Sequence, residues 1–138
     1  MSAKFKFKEY SSGIFGIVKR PVAEVYFQHQ KSKLWQGVTM LVDSGADYTL
    51  LPYFLAYPLG INLITDCKII HTQGVGGISK VYLFKKKIKV KLGEFRRQIP
   101  IGFLSNDYIP PLLGRQEFFE TFRVVFDRFY VQFEDSLE

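Results

Sequence analysis

The chain has little cysteine and histidine and no long apolar run. Cys67 is the single cysteine among 138 residues, so an internal disulfide is excluded and we expect a reducing compartment, the cytoplasm. The two histidines, His29 and His71, are too isolated to form a metal site with Cys67, since a structural zinc ion takes four ligands. No apolar run approaches the roughly 18 residues that span a bilayer. We therefore expect no metal, no cofactor and no membrane partner.

Linkers, repeats and low-complexity tracts are also missing, which predicts one domain over residues 1–138 with its core at about 21–133. Hydrophobic residues make up 47% of the chain and aromatic residues 17%, so a disordered chain is excluded. Fourteen Phe and eight Tyr favour strands, because aromatic side chains suit a pleated, half-buried surface. The N-terminus alternates Phe5 and Phe7 with lysines, a strand pattern without the apolar core of a signal peptide.

The net charge of +6 is concentrated partly in one alternating run, Lys85, Lys87, Lys89 and Lys91. Apolar residues fill the positions between the last of these lysines, which predicts a strand with one solvated face. The run itself carries no aromatic residue on the lysine face, as a stacking platform for bases would require. We therefore expect no nucleic-acid partner, and a basic nucleic-acid binder is kept as a weaker alternative.

Short hydrophobic segments separated by glycine, proline and polar turns predict about nine strands and one or two short helices. This pattern indicates an all-β domain, closed as a barrel or packed as a sandwich. One short helix is predicted at Gln116–Phe122 and a helical turn from Pro52. The predicted strands are Val22–Gln28, Leu34–Val42, Cys67–Thr72, Ile78–Lys85, Ile88–Leu92, Gln98–Phe103, and a closing hairpin of Val124–Phe126 and Phe129–Phe133.

The segment most suited to chemistry is the turn Asp43-Ser44-Gly45-Ala46, directly after an apolar strand. A strand end holds the Asp43 carboxylate rigidly, while Gly45 allows close approach of another backbone. A structural alternative is an Asx turn in which Asp43 binds its own backbone. Ser44 as a hydrolase nucleophile is disfavoured, because no G-x-S-x-G elbow surrounds it.

From about Pro21 to Phe133 the chain resembles the retropepsin-like aspartic peptidases, the family of retroviral proteases and their cellular single-domain relatives. The resemblance rests on three motifs in a fixed order: an acidic turn after an apolar strand, a glycine-rich hairpin tip, and an apolar-apolar-Gly-Arg segment. In this chain they are Leu41-Val42-Asp43-Ser44-Gly45-Ala46 with Asp47 and Leu50-Leu51-Pro52, then Gln73-Gly74-Val75-Gly76-Gly77, then Leu112-Leu113-Gly114-Arg115.

The resemblance implies a C2 homodimer that hydrolyses peptide bonds in a peptide or protein substrate. Asp43 would be the catalytic residue, Ser44 would join the two active-site loops, and Gly45 and Asp47 would help to bind the substrate backbone. The tip Gly74, Val75, Gly76 and Gly77 would form a flap over the bound peptide. Structural support would come from Leu112, Leu113 and Gly114 beneath the loop and from Arg115, paired with Asp47.

Two features depart from the family pattern. Gln116 stands where the family often has Asp or Asn after the Gly-Arg pair, which questions the cap of the predicted helix. The chain also extends into a predicted hairpin beyond that helix, so the intertwined terminal strands of retroviral dimers would be replaced by another interface. A catalytically inactive peptide-binding or dimerisation module of the same fold is the alternative function.

Overall fold

The computed structural model describes residues 2–74, 77–105 and 109–135. These residues form mainly strands, linked by turns and three short 3-10 helices. The strands are β1 (Ser2–Lys6), β2 (Lys8–Ser12), β3 (Gly16–Arg20), β4 (Val22–Gln28), β5 (Trp35–Val42), β6 (Thr49–Pro52), β7 (Cys67–Gly74), β8 (Gly77–Phe84), β9 (Ile88–Leu92), β10 (Phe95–Ile99), β11 (Ile101–Leu104), β12 (Leu112–Leu113), β13 (Phe122–Asp127) and β14 (Tyr130–Asp135); the 3-10 helices are Tyr53–Leu55, Tyr57–Leu59 and Phe119–Thr121.

The main sheet has nine strands in the order β10-β9-β4-β5-β12-β6-β11-β8-β7. Two of its contacts are parallel, β12 with β5 and β11 with β6, and both involve strands distant in sequence. A three-stranded sheet, β1-β14-β13, and a separate hairpin, β2-β3, complete the described strands. The predicted all-β fold class is therefore confirmed.

Alternation of side chains explains why the central strands bury one face. In β4, Val25 and Phe27 are buried, and in β9, Ile88, Val90 and Leu92 are buried, while the residues between them face outward. Phe27 pairs directly with Val90 across the β4–β9 contact. The period of two thus gives a continuous apolar layer on the inner side of the sheet.

A second part of the core is aromatic and lies against the β1-β14-β13 sheet. Phe133 on β14 is fully buried, with ring centroids of Phe5, Phe118, Phe119 and Phe122 between 5.6 and 6.3 Å away. These edge-to-face and tilted contacts are the arrangements that aromatic quadrupoles favour. The cluster joins the terminal sheet to the segment that carries the third sequence motif.

The predicted helix at Gln116–Phe122 is wrong in extent and type. Only the 3-10 helix Phe119–Thr121 forms there, and Phe122 already begins β13. The apolar spacing that suggested a helix is satisfied differently, because Phe118, Phe119 and Phe122 enter the aromatic cluster from a turn, a 3-10 helix and a strand.

Several strand boundaries also differ from the predictions. The predicted strand Gln98–Phe103 is two strands, β10 and β11, which separate at Pro100. The turn before β10 lies at Gly93–Glu94, as predicted. The N-terminal strand pattern is real, and its partner is β14 at the other end of the chain, with Phe5 opposite Val131.

The lysine run occupies a strand only in its second half. Lys89 and Lys91 lie on β9 and face outward, which confirms the predicted solvated face. Neighbouring strands bring aromatic rings to this same face: the Lys91 ammonium lies 4.3 Å from the Trp35 ring centroid and 5.9 Å from that of Tyr26. The run itself carries no aromatic residue on this face, as predicted, and the rings beside it come from β4 and β5.

Within the described ranges, no helix combines the length and apolar character needed to cross a bilayer.

Replacing Phe133 by Ala is expected to lower the free energy of unfolding by about 3–5 kcal/mol, because it empties the centre of the aromatic cluster. Phe126→Ala, on the exposed side of β13, is the matched control and should change it by less than about 1 kcal/mol. Urea denaturation of both variants measures the difference. Equal stability losses would contradict the assignment of Phe133 to the core.

Candidate active site

Asp43 lies at the end of β5, where the sheet holds the backbone on both sides. The Val42 N–H donates to the Pro21 carbonyl at 2.9 Å, and the Asp43 N–H donates to the Leu113 carbonyl at 3.1 Å. Val42 and Leu113 are buried, whereas Asp43 is half-buried. The carboxylate therefore stands on a buried, hydrogen-bonded floor with access to solvent.

The turn after Asp43 binds back onto the same residue. The Ala46 N–H donates to the Asp43 carbonyl at 3.2 Å, and the Gly45 N–H donates to Oδ1 of the carboxylate at 2.9 Å. The second contact is the Asx-turn bond considered as the structural alternative, and it is present. A Cβ on Gly45 would lie 3.2 Å from Oδ1. Among the described residues Oδ2 has no hydrogen-bond partner, so one carboxylate oxygen is held and the other is available.

The support beneath the turn is β12, which passes between β5 and β6. Leu113 pairs in parallel with Val42, and Leu112 pairs with Leu50 on the other side. Gly114 follows at a point where a Cβ would stand 2.3 Å from the Tyr48 carbonyl carbon. Only glycine fits this crossing without displacing backbone, which gives the Leu-Leu-Gly motif a steric reason.

Thr49 fixes the same crossing through its hydroxyl. The Gly114 N–H donates to Thr49 Oγ1 at 3.2 Å, and Thr49 is fully buried. Sequence analysis did not single out Thr49, although a polar residue between Tyr48 and two leucines at the start of an apolar strand was the available signal. Leaving the Gly114 N–H without an acceptor would cost about 1–3 kcal/mol.

Asp47 and Arg115 form the ion pair that the family resemblance implied. Their side chains are 80% and 53% exposed, so the pair contributes at most about 1 kcal/mol to stability. The backbone does more, since the Arg115 N–H donates to the Ala46 carbonyl at 3.0 Å and the Gln116 N–H donates to the Asp47 carbonyl at 2.7 Å. Backbone hydrogen bonds thus join the Leu-Leu-Gly-Arg segment to the turn that contains Asp43. Gln116 participates through its backbone, and no α-helix begins there.

A cleft of about 700 Å³ opens beside the ion pair, and its lining is Ser44, Asp47, Arg115, Gln116, Phe119 and Glu120. The adjacent Tyr48 ring packs over Gly102, where a Cβ would lie 2.9 Å from the ring. Burial, and secondarily the Asp47 carboxylate, raises the pKa of the Tyr48 hydroxyl. The lining of the cleft is therefore mainly polar, with one aromatic residue, Phe119.

The hairpin predicted to act as a flap is β7–β8. Its strands pair from Cys67 opposite Phe84 to Gly74 opposite Gly77. Only Val81, Tyr82 and Leu83 of β8 also pair with β11, so the outer part of the hairpin extends beyond that strand. The tip residues Val75 and Gly76 lie outside the described residues.

The two histidines and the cysteine that the sequence analysis considered lie apart from the Asp43 turn, and His71 is exposed on β7. His29 Nδ1 accepts the Lys31 and Ser32 N–H groups, each at 3.1 Å, and its ring packs over Gly60. Cys67 is buried at the start of β7. Throughout the described ranges, no group of three His, Cys, Asp or Glu side chains has a geometry that could hold a metal ion.

Comparison with solved structures identifies the fold. The chain is similar to a retropepsin-like aspartic protease from Rickettsia conorii, with a TM-score of 0.60 and 18% sequence identity over 93% of this chain and 98% of that chain. At this identity the similarity shows the fold alone. No protein-family profile and no curated protein sequence matches the chain.

Gly114→Ala is expected to destabilise the fold by at least about 2 kcal/mol, because the added methyl group meets the Tyr48 backbone. Gly13→Ala is the matched control, since a Cβ there has no atom within 4 Å, and it should be near neutral. Thermal and urea unfolding measure both. A Gly114→Ala variant as stable as Gly13→Ala would contradict the close crossing of β12.

The buried position of Cys67 predicts a slow reaction of its thiol with alkylating reagents. Burial, reinforced by the Asp66 carboxylate and opposed by Lys85, raises the pKa of the Cys67 thiol to about 11. Because the thiolate is the reactive form, alkylation by iodoacetamide at about pH 8 should be at least about a hundredfold slower in the native protein than in the denatured protein. Mass spectrometry of quenched samples follows the reaction. The native rate should rise with pH towards 11, and equal native and denatured rates would contradict this environment.

Proposed function

We propose that the protein is an aspartic endopeptidase that becomes active as a homodimer, with one Asp43 from each chain. The observation that carries the proposal is the geometry of Asp43 within a retropepsin-like fold: its backbone N–H is bound to the buried strand β12, its Oδ1 accepts the Gly45 N–H, and among the described residues Oδ2 has no partner. The backbone bond to β12 fixes where the Asp43 side chain starts, and the Asx-turn bond to Gly45 leaves the second carboxylate oxygen for chemistry.

Peptide hydrolysis requires a base that activates water and an acid that protonates the leaving amine. One carboxylate cannot be both at the same moment. Two carboxyl groups about 3 Å apart share one proton, because both cannot ionise freely, and aspartic proteases are the established example of this effect. In the proposed dimer the ionised Asp43 takes a proton from water while the neutral one polarises the scissile carbonyl.

The second carboxylate has to come from another molecule. Asp43-Ser44-Gly45 occurs once in the 138-residue sequence, and Asp47, the neighbouring acid, is engaged with Arg115. A two-fold axis beside the exposed Ser44 and Gly45 would bring two identical turns together. We infer that Ser44 bonds across this axis and that the isolated chain is inactive.

The substrate class follows from the same surface. An extended peptide in the cleft would meet backbone groups of the Gly45–Asp47 segment on one side and the β7–β8 hairpin on the other, as an added strand. Gly74, Val75, Gly76 and Gly77 are proposed to close over it and exclude water. Apolar residues flanking the scissile bond are the expected preference.

Asp43→Asn is expected to lower kcat/KM on an unfolded protein or apolar peptide library at least about a hundredfold, because the amide can neither accept the water proton nor share one. Dimerisation and thermal stability should be retained, since Asn preserves the shape and the Gly45 contact. The wild-type enzyme should show a bell-shaped pH dependence, with activity lost when both carboxyl groups are protonated or both ionised.

Subunit mixing tests the shared site directly. Adding excess Asp43→Asn protein to the wild type should reduce activity as mixed dimers replace wild-type dimers, whereas adding Glu94→Gln, altered in an exposed turn, should not. Undiminished activity in the first mixture would show that one chain suffices. A dimeric wild type that cleaves nothing from acid to neutral pH would favour the inactive peptide-binding module instead.

A further inference from the structure

The β2–β3 hairpin, residues 8–20, is an arm that pairs with no other described strand. Its tip carries three strongly exposed apolar side chains, Ile14 at 84%, Phe15 at 77% and Ile17 at 68% exposure. The tip is well defined: Ser12 Oγ accepts the N–H groups of Ile14 and Phe15 at 3.3 and 3.2 Å, and Gly16 adopts φ +74°. The turn thus presents two large apolar side chains to solvent in a fixed conformation.

The arm is rooted beside the candidate active site. Its last strand leads through Pro21, whose carbonyl accepts the Val42 N–H one residue before Asp43. Its first strand follows Phe7, whose N–H donates to the Phe129 carbonyl at 2.7 Å, and the Lys19 ammonium lies 4.1 Å from the Phe129 ring. The arm therefore leaves the body between the Asp43 turn and the β13–β14 turn. Five extended residues per strand give it a reach of roughly 15–20 Å.

An isolated two-stranded hairpin with an apolar tip is marginal in water and usually marks a covered surface. The charged residues of the arm are placed near its root, where Lys8 pairs with Arg20 and Glu9 with Lys19, and the apolar residues are placed at its end. This division favours a partner that accepts an apolar tip beyond the body of the molecule.

A second copy of this chain is the partner that the position of the arm favours. In the proposed dimer the two Asp43 turns face each other, so a segment rooted next to Val42 lies at the interface and extends along the other protomer. A membrane at the same place would have to occupy the space of that protomer. β1 pairs with β14 within the chain, so exchange of these two strands between protomers is not the contact proposed here.

We propose that the β2–β3 arm is the dimer clasp, and that Ile14, Phe15 and Ile17 of each protomer pack against the other protomer beside the paired Asp43 turns. This proposal rests on the proposed function for its geometry. By two-fold symmetry each dimer contains two arms, so a substitution in the tip removes two contacts and lowers the free energy of dissociation twice.

The test compares the full-length wild type with Ile14→Ser/Phe15→Ser by sedimentation equilibrium. Both substitutions are fully on the surface, so folding should be unchanged, and circular dichroism checks this. The dimer dissociation constant is expected to rise at least tenfold. Leu34→Ser is the matched control, because Leu34 is 71% exposed and lies at the opposite end of the β4–β5 hairpin from Asp43; it should leave the constant unchanged.

A photo-reactive benzoylphenylalanine at position 15 gives a second, independent readout. It should yield crosslinked dimers whose joined peptides come from two chains, whereas the same probe at position 34 should not. Crosslinks confined to one chain, or dimer affinity unaltered by the tip substitutions, would overturn the clasp. Binding of the wild type, and not of the tip variant, to phosphatidylcholine–phosphatidylserine vesicles at unchanged dimer affinity would also overturn it and assign the arm to a membrane.

Peptidase assays at several protein concentrations separate the two proposals. If both hold, the tip variant regains wild-type activity once its concentration exceeds its own dissociation constant, because Asp43 is untouched. Activity with unchanged dimer affinity would leave the peptidase standing and remove the clasp. If the tip variant forms weaker dimers and neither it nor the wild type cleaves peptides, the clasp is supported and the peptidase proposal is wrong.

Discussion

The passage of β12 between β5 and β6 is the constraint on which the candidate site depends. At this crossing the backbone is too close for any side chain at Gly114, and the buried Thr49 hydroxyl accepts the N–H that the crossing leaves unpaired. The same strand accepts the Asp43 N–H through the Leu113 carbonyl. Hydrogen bonds therefore join segments that are almost seventy residues apart in sequence. These bonds hold the backbone at Asp43, from which the carboxylate projects.

This arrangement divides the site into a closed lower side and an open upper side. Below Asp43, the residues Val42, Thr49 and Leu113 are buried, whereas Ser44, Gly45 and Asp47 above it are exposed. The Asp47–Arg115 ion pair contributes little to stability at this exposure, so its role is to orient the loop rather than to hold the fold. On the proposed function, this exposed side is where a second chain would supply the groups that one chain lacks.

Local patterns in the sequence predicted the parts of the structure that local forces determine. Strands Val22–Gln28 and Ile88–Leu92 were predicted with the observed boundaries, because alternation of buried and exposed residues decides them. The Asp47–Arg115 pair was implied only by resemblance to a family, since nothing in the spacing of residues 47 and 115 indicates contact. Thr49 was missed because its partner, the Gly114 N–H, is set by the crossing of strands and not by any motif.

The failures have a common physical cause. The aromatic spacing at Phe118, Phe119 and Phe122 satisfies a helical period, yet burial against Phe133 is reached from a 3-10 turn and a strand, so tertiary packing overrode the local signal. Tyr26 and Trp35 lie beside Lys91 although they belong to other strands, so the sequence of the lysine run does not indicate these neighbours. Periodicity describes one strand at a time, whereas cross-strand neighbours depend on sheet order.

The pairing of β1 with β14 within one chain separates folding of the protomer from dimerisation. Terminal strands exchanged between chains would make folding depend on the dimer, but here Phe5 and Phe133 complete the aromatic core within one chain. The protomer can therefore reach its full core before it meets a partner. On the proposed function, dimerisation then supplies the second carboxylate without supplying the fold, and protein concentration would control catalysis while leaving the stability of each protomer nearly unaltered.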